Sequence, residues 1–147
     1  MSHTYVANIV HCVFSTKHRR PLIPVERQEE LWAYILGIAR NINVKILAIG
    51  GISDHLHLLI GLPPTLNLAK VICDFKANSS KWLNETGTRF AWQEGYGSFS
   101  VSPSRIANVK RYIRNQAEHH KRRNFDEEFG DLLKKAGIPF DEKYALG

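Results

Sequence analysis

The sequence DHLHLLI at residues 54–60 decides the fold, because its pattern predicts a β-strand at the centre of a sheet. A glycine pair precedes this stretch and a proline pair follows it, and both residue types interrupt regular structure. Side chains alternate across a strand, so His55 and His57 project from one face and the leucines and isoleucine at 56, 58 and 60 from the other. The two imidazoles then lie roughly 6.5–7 Å apart along the strand. They can bind one divalent cation if another ligand comes from elsewhere; the alternative is a strand with two unrelated histidines.

The bulk composition indicates one folded domain over residues 1–147. Hydrophobic residues make up 44% of the chain and charged residues 23%, as is typical of a globular protein with an ordinary core. The formal net charge of +6 favours a polyanionic partner. Nucleic acid is the commonest such partner, and an anionic membrane is the competing one.

Membrane and secretory functions find little support in the sequence. No apolar run approaches the roughly 18 residues that a spanning helix needs, and the N-terminus lacks the basic and apolar segments of a secretory signal. Cys12 and Cys73 lie far apart, without metal-binding spacing, and are expected to be reduced, packed thiols. We therefore expect a cytoplasmic protein with no membrane partner.

The order of predicted elements indicates an α+β fold. Strands are predicted at 5–15, 44–49, 54–60 and 98–102, with a turn at Gly50-Gly51 and Ser53 between the second and third. Helices are predicted at 24–40 and 65–83, followed by one from Pro103 to the basic residues 119–123 and a last one at 126–136. This order matches a ferredoxin-like βαββαβ antiparallel sheet with additional C-terminal helices.

The predicted fold indicates which side of the sheet His55 and His57 occupy. If the leucines of the third strand face the two packed helices, His55 and His57 face the other side of the sheet. The C-terminal helices are left to cover that side. Tyr112 and Gln116 then come within reach of the histidines, because residues four apart share one face of a helix.

Tyr112 and Gln116 supply the chemistry that a histidine pair lacks. A glutamine carbonyl is a neutral oxygen ligand, and a tyrosine hydroxyl can act as a nucleophile. His55, His57 and Gln116 would give a divalent ion three ligands and leave positions open for phosphate oxygens. Taken singly, Tyr112 can equally be an aromatic side chain packed on the sheet, and Gln116 a surface residue.

The full set of motifs closely resembles the single-tyrosine HUH transposases of the insertion-sequence 200/605 type, from about residue 5 to residue 144. The matching motifs are His55-Leu56-His57, Tyr112-x-x-x-Gln116-x-x-His119-His120, Phe14-Ser15-Thr16-Lys17 and Trp92-Gln93-x-Gly95-Tyr96.

The resemblance implies a role for each matching residue. His55, His57 and Gln116 correspond to the ligands of a Mg²⁺ or Mn²⁺ ion, and mixed nitrogen and oxygen ligation suits Mn²⁺ better. Tyr112 corresponds to the nucleophile that forms a 5′-phosphotyrosine link. The resemblance further implies cleavage and rejoining of single-stranded DNA at hairpins by a homodimer. For the dimer, the first strand or the last helix is the expected contact.

Three groups of residues are candidate DNA contacts. They are the basic loop after the first strand, a polar helix end, and the neighbours of Tyr112: Lys17, Arg19, Arg20; Lys76, Ser80, Lys81; Arg111, His119, His120. The loop and the helix end can equally be solvated surface. Two other functions stay open: a domesticated nuclease acting on chromosomal repeats, and a non-catalytic single-stranded nucleic-acid-binding module.

Overall fold

Residues 5–140 are described by a computed structural model, in which four antiparallel strands form one sheet. The strands are β1 (Ile9–Ser15), β2 (Lys45–Ile52), β3 (His55–Gly61) and β4 (Gly97–Ser100). Their order across the sheet is β2-β3-β1-β4, so β3 lies in the interior. The predicted α+β class, the antiparallel sheet and the central position of the histidine strand are confirmed.

Five helices accompany the sheet. The first two connect strands, and the others follow β4: α1 (Gln28–Asn41), α2 (Leu68–Glu85), α3 (Ile106–Arg114), α4 (Gln116–His119) and α5 (Phe125–Lys135). The helix predicted from Pro103 is therefore interrupted at Asn115, whose ψ of 26° departs from helical geometry. No helix within residues 5–140 is both long and apolar enough to cross a bilayer.

The two faces of β3 have different neighbours. Leu56, Leu58 and Ile60 are fully buried in the main core, which α1 and α2 complete. On the other face, Leu59 packs with Ile113 of α3. Phe125 of α5 packs beside His55 with its ring tilted and the ring centroids 4.7 Å apart. The C-terminal helices thus cover the face of the sheet that carries His55 and His57, the histidine face, as the alternation of side chains predicted.

Several predicted boundaries were wrong. The first strand begins at Ile9, where its pairing with β3 starts, and not at residue 5. β2 continues through both glycines to Ile52, because Gly50 and Gly51 pair with His57 and Leu56. The turn into β3 is therefore only Ser53 and Asp54.

Two further expectations need correction. Cys73 is exposed on α2, so only Cys12 is a packed thiol. β1 lies between β3 and β4 and offers no free edge for a partner subunit. The last helix buries its apolar side chains on its own sheet, through Phe125, Phe129 and Leu133. Neither element is thus the open dimer contact that was expected.

Gly50 is the place where α3 crosses β2. A Cβ atom built on Gly50 would lie 2.2 Å from the carbonyl oxygen of Ile113, a distance that no real side chain tolerates. Ile113 directly follows Tyr112, so the absence of a side chain at residue 50 sets how closely the tyrosine helix approaches the sheet.

We expect Gly50→Ala to destabilise the protein by about 1–3 kcal/mol, the usual cost of overpacking. Urea unfolding followed by circular dichroism measures the change. Gly37→Ala in α1 is the matched control, because a Cβ there meets nothing within 4 Å and should stabilise the helix by about 0.5–1 kcal/mol. Unchanged stability of Gly50→Ala would contradict the close contact.

Candidate metal and tyrosine site

The ring nitrogens of the two β3 histidines converge on oxygen atoms from the C-terminal helices. His55 and His57 are both 0% exposed. His55 Nε2 lies 2.7 Å from Gln116 Oε1. The carboxylate oxygen Oε1 of Glu128 lies 3.0 Å from His57 Nε2 and 3.5 Å from His55 Nε2. Two nitrogens and two oxygens from β3, α4 and α5 therefore face one small volume.

These distances fit a divalent ion. Metal–ligand bonds of about 2.1 Å in octahedral geometry place neighbouring ligand atoms about 3 Å apart. The ligand atoms of His55, His57 and Glu128 all lie within 4.8 Å of one another, and Gln116 adds a neutral oxygen. The cluster can therefore bind a metal ion.

His55 gives a separate reason to expect a cation. Its Nδ1 lies 2.8 Å from Asp54 Oδ1, and its Nε2 lies 2.7 Å from Gln116 Oε1. Both partners are hydrogen-bond acceptors, but a neutral imidazole carries a single proton. One of the two contacts needs a second proton or a metal ion to be favourable.

Each histidine is oriented by a partner on its Nδ1 atom. Asp54 contacts His55 in this way, which the sequence left as one option beside a simple turn residue. For His57 the partner is His11 of β1, whose Nε2 lies 2.8 Å from His57 Nδ1. Such partners hold each ring so that its Nε2 faces the other candidate ligand atoms.

Glu128 is the ligand candidate that sequence reasoning missed. It lies in the first turn of α5 beside Asp126 and Glu127, where acidic residues ordinarily complement the helix dipole. It is only 2% exposed, however, and follows Phe125 by one helical turn on the buried side. A carboxylate on the apolar face of a predicted helix is the sequence pattern that could have identified Glu128 as a candidate ligand.

Glu128 and His57 have the protonation states that metal binding needs. Burial favours the protonated form of Glu128, but hydrogen bonds from His120 and His57 outweigh it and hold the pKa of the carboxyl far below its usual range. Burial lowers the pKa of His57 to about 4, against the opposing effect of Glu128. A neutral imidazole therefore faces an ionised carboxylate near neutral pH.

Tyr112 lies at the same cluster. Its hydroxyl donates a hydrogen bond to Glu128 Oε2, and its ring meets the edge of the His57 ring with centroids 5.6 Å apart. Burial first, and then the hydrogen bond and charge of Glu128, raise the pKa of the phenol well above its ordinary value. The break at Asn115 does not separate Tyr112 from Gln116, whose amide donates to the Tyr112 carbonyl over 3.3 Å.

A cavity opens onto the tyrosine. It has a volume of about 370 Å³ and is lined by Tyr112, Glu128 and His11. Arg105 and Arg123 also line it. Cationic side chains therefore flank an opening that leads to the phenol.

Three of the candidate DNA contacts form hydrogen bonds or ion pairs with a different helix or loop of the protein. Arg19 pairs with Asp126 of α5 across 2.8 Å. The Lys76 ammonium donates to the carbonyl oxygens of Gln93 and Gly95. His120 lies within the ligand cluster, 3.2 Å from Glu128 Oε1.

The other six candidates lie in different parts of the surface. Lys17 and Arg20 are exposed in the turn after β1, and Ser80 and Lys81 belong to α2. His119 packs on Tyr112 with ring centroids 4.6 Å apart. Arg111 donates to Asn108 over 2.8 Å. Contact with DNA stays a prediction for all nine residues.

The chain resembles known transposases in sequence. Residues 4–116 match the family described as transposase IS200 like. The chain is 27% identical, over 129 residues, to the transposase for insertion sequence element IS200 of Salmonella typhimurium strain LT2. That alignment covers 82% of this chain and 84% of the relative. The corresponding Salmonella typhi protein is similar to the same extent.

Solved structures share the fold. A candidate transposase from Deinococcus radiodurans R1 has a TM-score of 0.63 at 22% identity, with 79% of this chain and 96% of that chain covered. A REP-associated tyrosine transposase bound to a REP hairpin has a TM-score of 0.59 at 16% identity, with 77% and 68% covered. Because the family match spans most of its length, the chain belongs to the IS200-like transposase family.

Proposed function

We propose that this transposase cleaves and rejoins single-stranded DNA at hairpin-marked ends by transesterification, with Tyr112 as the nucleophile. The observation that carries the proposal is the meeting of the Tyr112 hydroxyl, the two histidine nitrogens and Gln116 at the buried carboxylate of Glu128. A packing tyrosine has no need of such neighbours.

The reaction conserves the phosphodiester bond. The phenolic oxygen of Tyr112 attacks phosphorus, the bond from phosphorus to the 3′ oxygen breaks, and a 5′-phosphotyrosine forms. The phenolic proton is released as the new bond forms, and the departing 3′ oxygen takes up a proton to become a hydroxyl group, so the step has no net change in protons. Attack by a 3′-hydroxyl on the phosphotyrosine reverses these steps and rejoins DNA.

His55, His57 and Glu128, with Gln116, are the proposed ligands of a Mg²⁺ or Mn²⁺ ion. When bound, such an ion polarises the phosphodiester and favours the phenolate of Tyr112. The chain's own contribution is to hold the ligand atoms together, to orient the histidines through Asp54 and His11, and to keep bulk water from the buried cluster.

The DNA partner and the assembly are proposed from relatives. A solved protein of the same fold is bound to a REP hairpin, and the +6 charge of this chain suits a polyanion. We extend hairpin binding to this chain on that basis. A homodimer, in which the tyrosine helix of one copy can complete the site of the other, is part of the same proposal.

Tyr112→Phe should abolish the covalent intermediate. The substitution removes the attacking oxygen but keeps the ring that packs on His57, so the fold should survive. The protein is incubated with a hairpin oligonucleotide and Mn²⁺, denatured, and separated on a gel that shows the protein–DNA adduct.

Tyr34→Phe is the matched control, because this tyrosine stacks on Trp82 at the opposite side of the sheet. It should form the adduct at the wild-type level. An adduct of undiminished yield with Tyr112→Phe would show that another residue is the nucleophile.

His11→Phe should weaken metal binding about 10–100-fold, the usual cost of losing a partner that orients a metal-binding histidine. The phenyl ring keeps most of the packing against His57 but offers no nitrogen to it. Titration calorimetry with Mn²⁺ on chelator-treated protein measures the affinity without reference to activity.

His18→Asn serves as the control, since His18 is exposed in the turn after β1, and Asn tolerates its φ of 57°. Wild-type Mn²⁺ affinity in His11→Phe would exclude the orienting role. Undetectable Mn²⁺ binding in the wild-type protein would exclude the metal site itself.

A further inference from the structure

Two cavities flank the segment at residues 91–92, and neither shares a lining residue with the tyrosine site. One, of about 310 Å³, is the basic notch, lined by Lys17, His18, Arg20, Leu22, Arg89, Phe90 and Ala91. The other, of about 570 Å³, is the apolar groove between α2 and residues 91–96. Ala91 lines both cavities, so they are neighbours on the surface.

The basic notch concentrates positive charge without a compensating acid. Lys17, Arg20 and Arg89 are all exposed cations, and no aspartate or glutamate lines the cavity. Within residues 5–140, none of the three forms a salt bridge, whereas Arg19 and Arg27 nearby do. A concave surface of this kind is complementary to phosphate groups.

Contacts within the protein hold the turn that presents two of these cations, Lys17 and Arg20. His18 and Arg19 have φ values of 57° and 55°, in the left-handed region that costs non-glycine residues about 1–2 kcal/mol each. Thr16 holds the turn: its buried hydroxyl lies within hydrogen-bond distance of the Arg20 and Asp54 carbonyl oxygens. The amide of Lys17 donates to Ala91 over 2.9 Å. In this turn conformation Arg19 points to α5, whereas Lys17 and Arg20 line the notch.

The apolar groove suits a flat, uncharged group. Its lining includes Ile72, Ala77 and Trp92, with Tyr96 also part of it. Tyr96 is 38% exposed although it is a large aromatic residue. Aromatic side chains stack on unpaired bases, whose faces are hidden in a duplex. The groove therefore favours single-stranded over double-stranded nucleic acid.

The notch also lies next to the metal-binding end of β3. The amide of Thr16 donates to the Asp54 carbonyl over 2.9 Å, and Asp54 is the residue that contacts His55 Nδ1. DNA leaving the tyrosine site at this end of the sheet would meet the Lys17 turn.

We propose that the two cavities form one path for the single-stranded DNA that flanks the hairpin. Backbone phosphates bind Lys17, Arg20 and Arg89 in the notch, and an unpaired base occupies the groove beside Tyr96. This inference rests on the proposed function, which supplies single-stranded DNA as the substrate.

Binding measurements with two oligonucleotides test the path. One is a hairpin with a single-stranded flank and the other is the same hairpin without it. Fluorescence anisotropy of the full chain in chelator, over a range of salt concentrations, gives the affinity and its salt dependence without cleavage.

The two cavities should give different signatures. Lys17→Gln with Arg89→Gln should reduce the slope of log K against log salt by about 1.4 for the flanked hairpin, since each single-strand phosphate contact contributes about 0.7. Tyr96→Ala should weaken the same complex about tenfold with an unchanged slope, because stacking releases no counterions. Binding of the hairpin without a flank should not change in either variant.

Arg40→Gln with Lys45→Gln is the matched control, since both residues are exposed cations remote from the notch in sequence and outside its lining. It should leave both slopes unchanged. Equal effects of the notch variant on flanked and unflanked hairpins, or no effect on either, would overturn the path. A failed adduct assay with intact flank-dependent binding would instead count against the transesterification alone.

Discussion

The buried carboxylate of Glu128 is the contact on which the site depends. An ionised group with almost no exposure is costly unless every oxygen has a partner. Here Oε1 meets His57 and His120, and Oε2 meets Tyr112 and Gln116. One side chain of α5 therefore ties together β3, α3 and α4, and the helices that cover the histidine face are held there by charge as well as by apolar packing.

The same contacts indicate what the proposed metal ion would change in the site. Because the Glu128 carboxylate is ionised and can only accept, His57 donates its Nε2–H to it, and the Nδ1 of His57 accepts from His11. A metal ion on Nε2 would require the proton of His57 to lie on Nδ1 instead. From there the N–H could donate a hydrogen bond to His11. Burial and, after it, the hydrogen bond and charge of Glu128 raise the pKa of Tyr112; the ion would neutralise that charge. In the proposed mechanism, binding of the ion would therefore also favour the phenolate of Tyr112.

Much of this was predictable from local sequence patterns. Alternation along β3 placed His55 and His57 on the face opposite the main core, and the spacing of four residues kept Tyr112 with Gln116. His11 and Glu128 were missed because they depend on the register of β1 against β3 and on the docking of α5. The family match ends at residue 116, so Glu128 lies beyond it as well.

The glycine pair shows where a local pattern was misread. Gly50 and Gly51 were taken for a turn, yet both lie in β2, where a Cβ on either would come within 2.2 Å of a backbone oxygen. The glycines are required by close approach, at Ile113 in one case and at His55 in the other. A glycine can mark either a turn or a close approach of two backbones. The packing of distant elements decides which of the two applies.

The proposed function requires that both β3 histidines bind one divalent ion beside Tyr112. Electron spin echo envelope modulation of the Mn²⁺-loaded protein measures it directly, because each coordinated imidazole nitrogen modulates the echo of the ion. We expect coupling from two imidazole nitrogens in the wild-type protein and from one in His57→Ala. Modulation by water protons alone, with no nitrogen coupling in the wild-type protein, would contradict it.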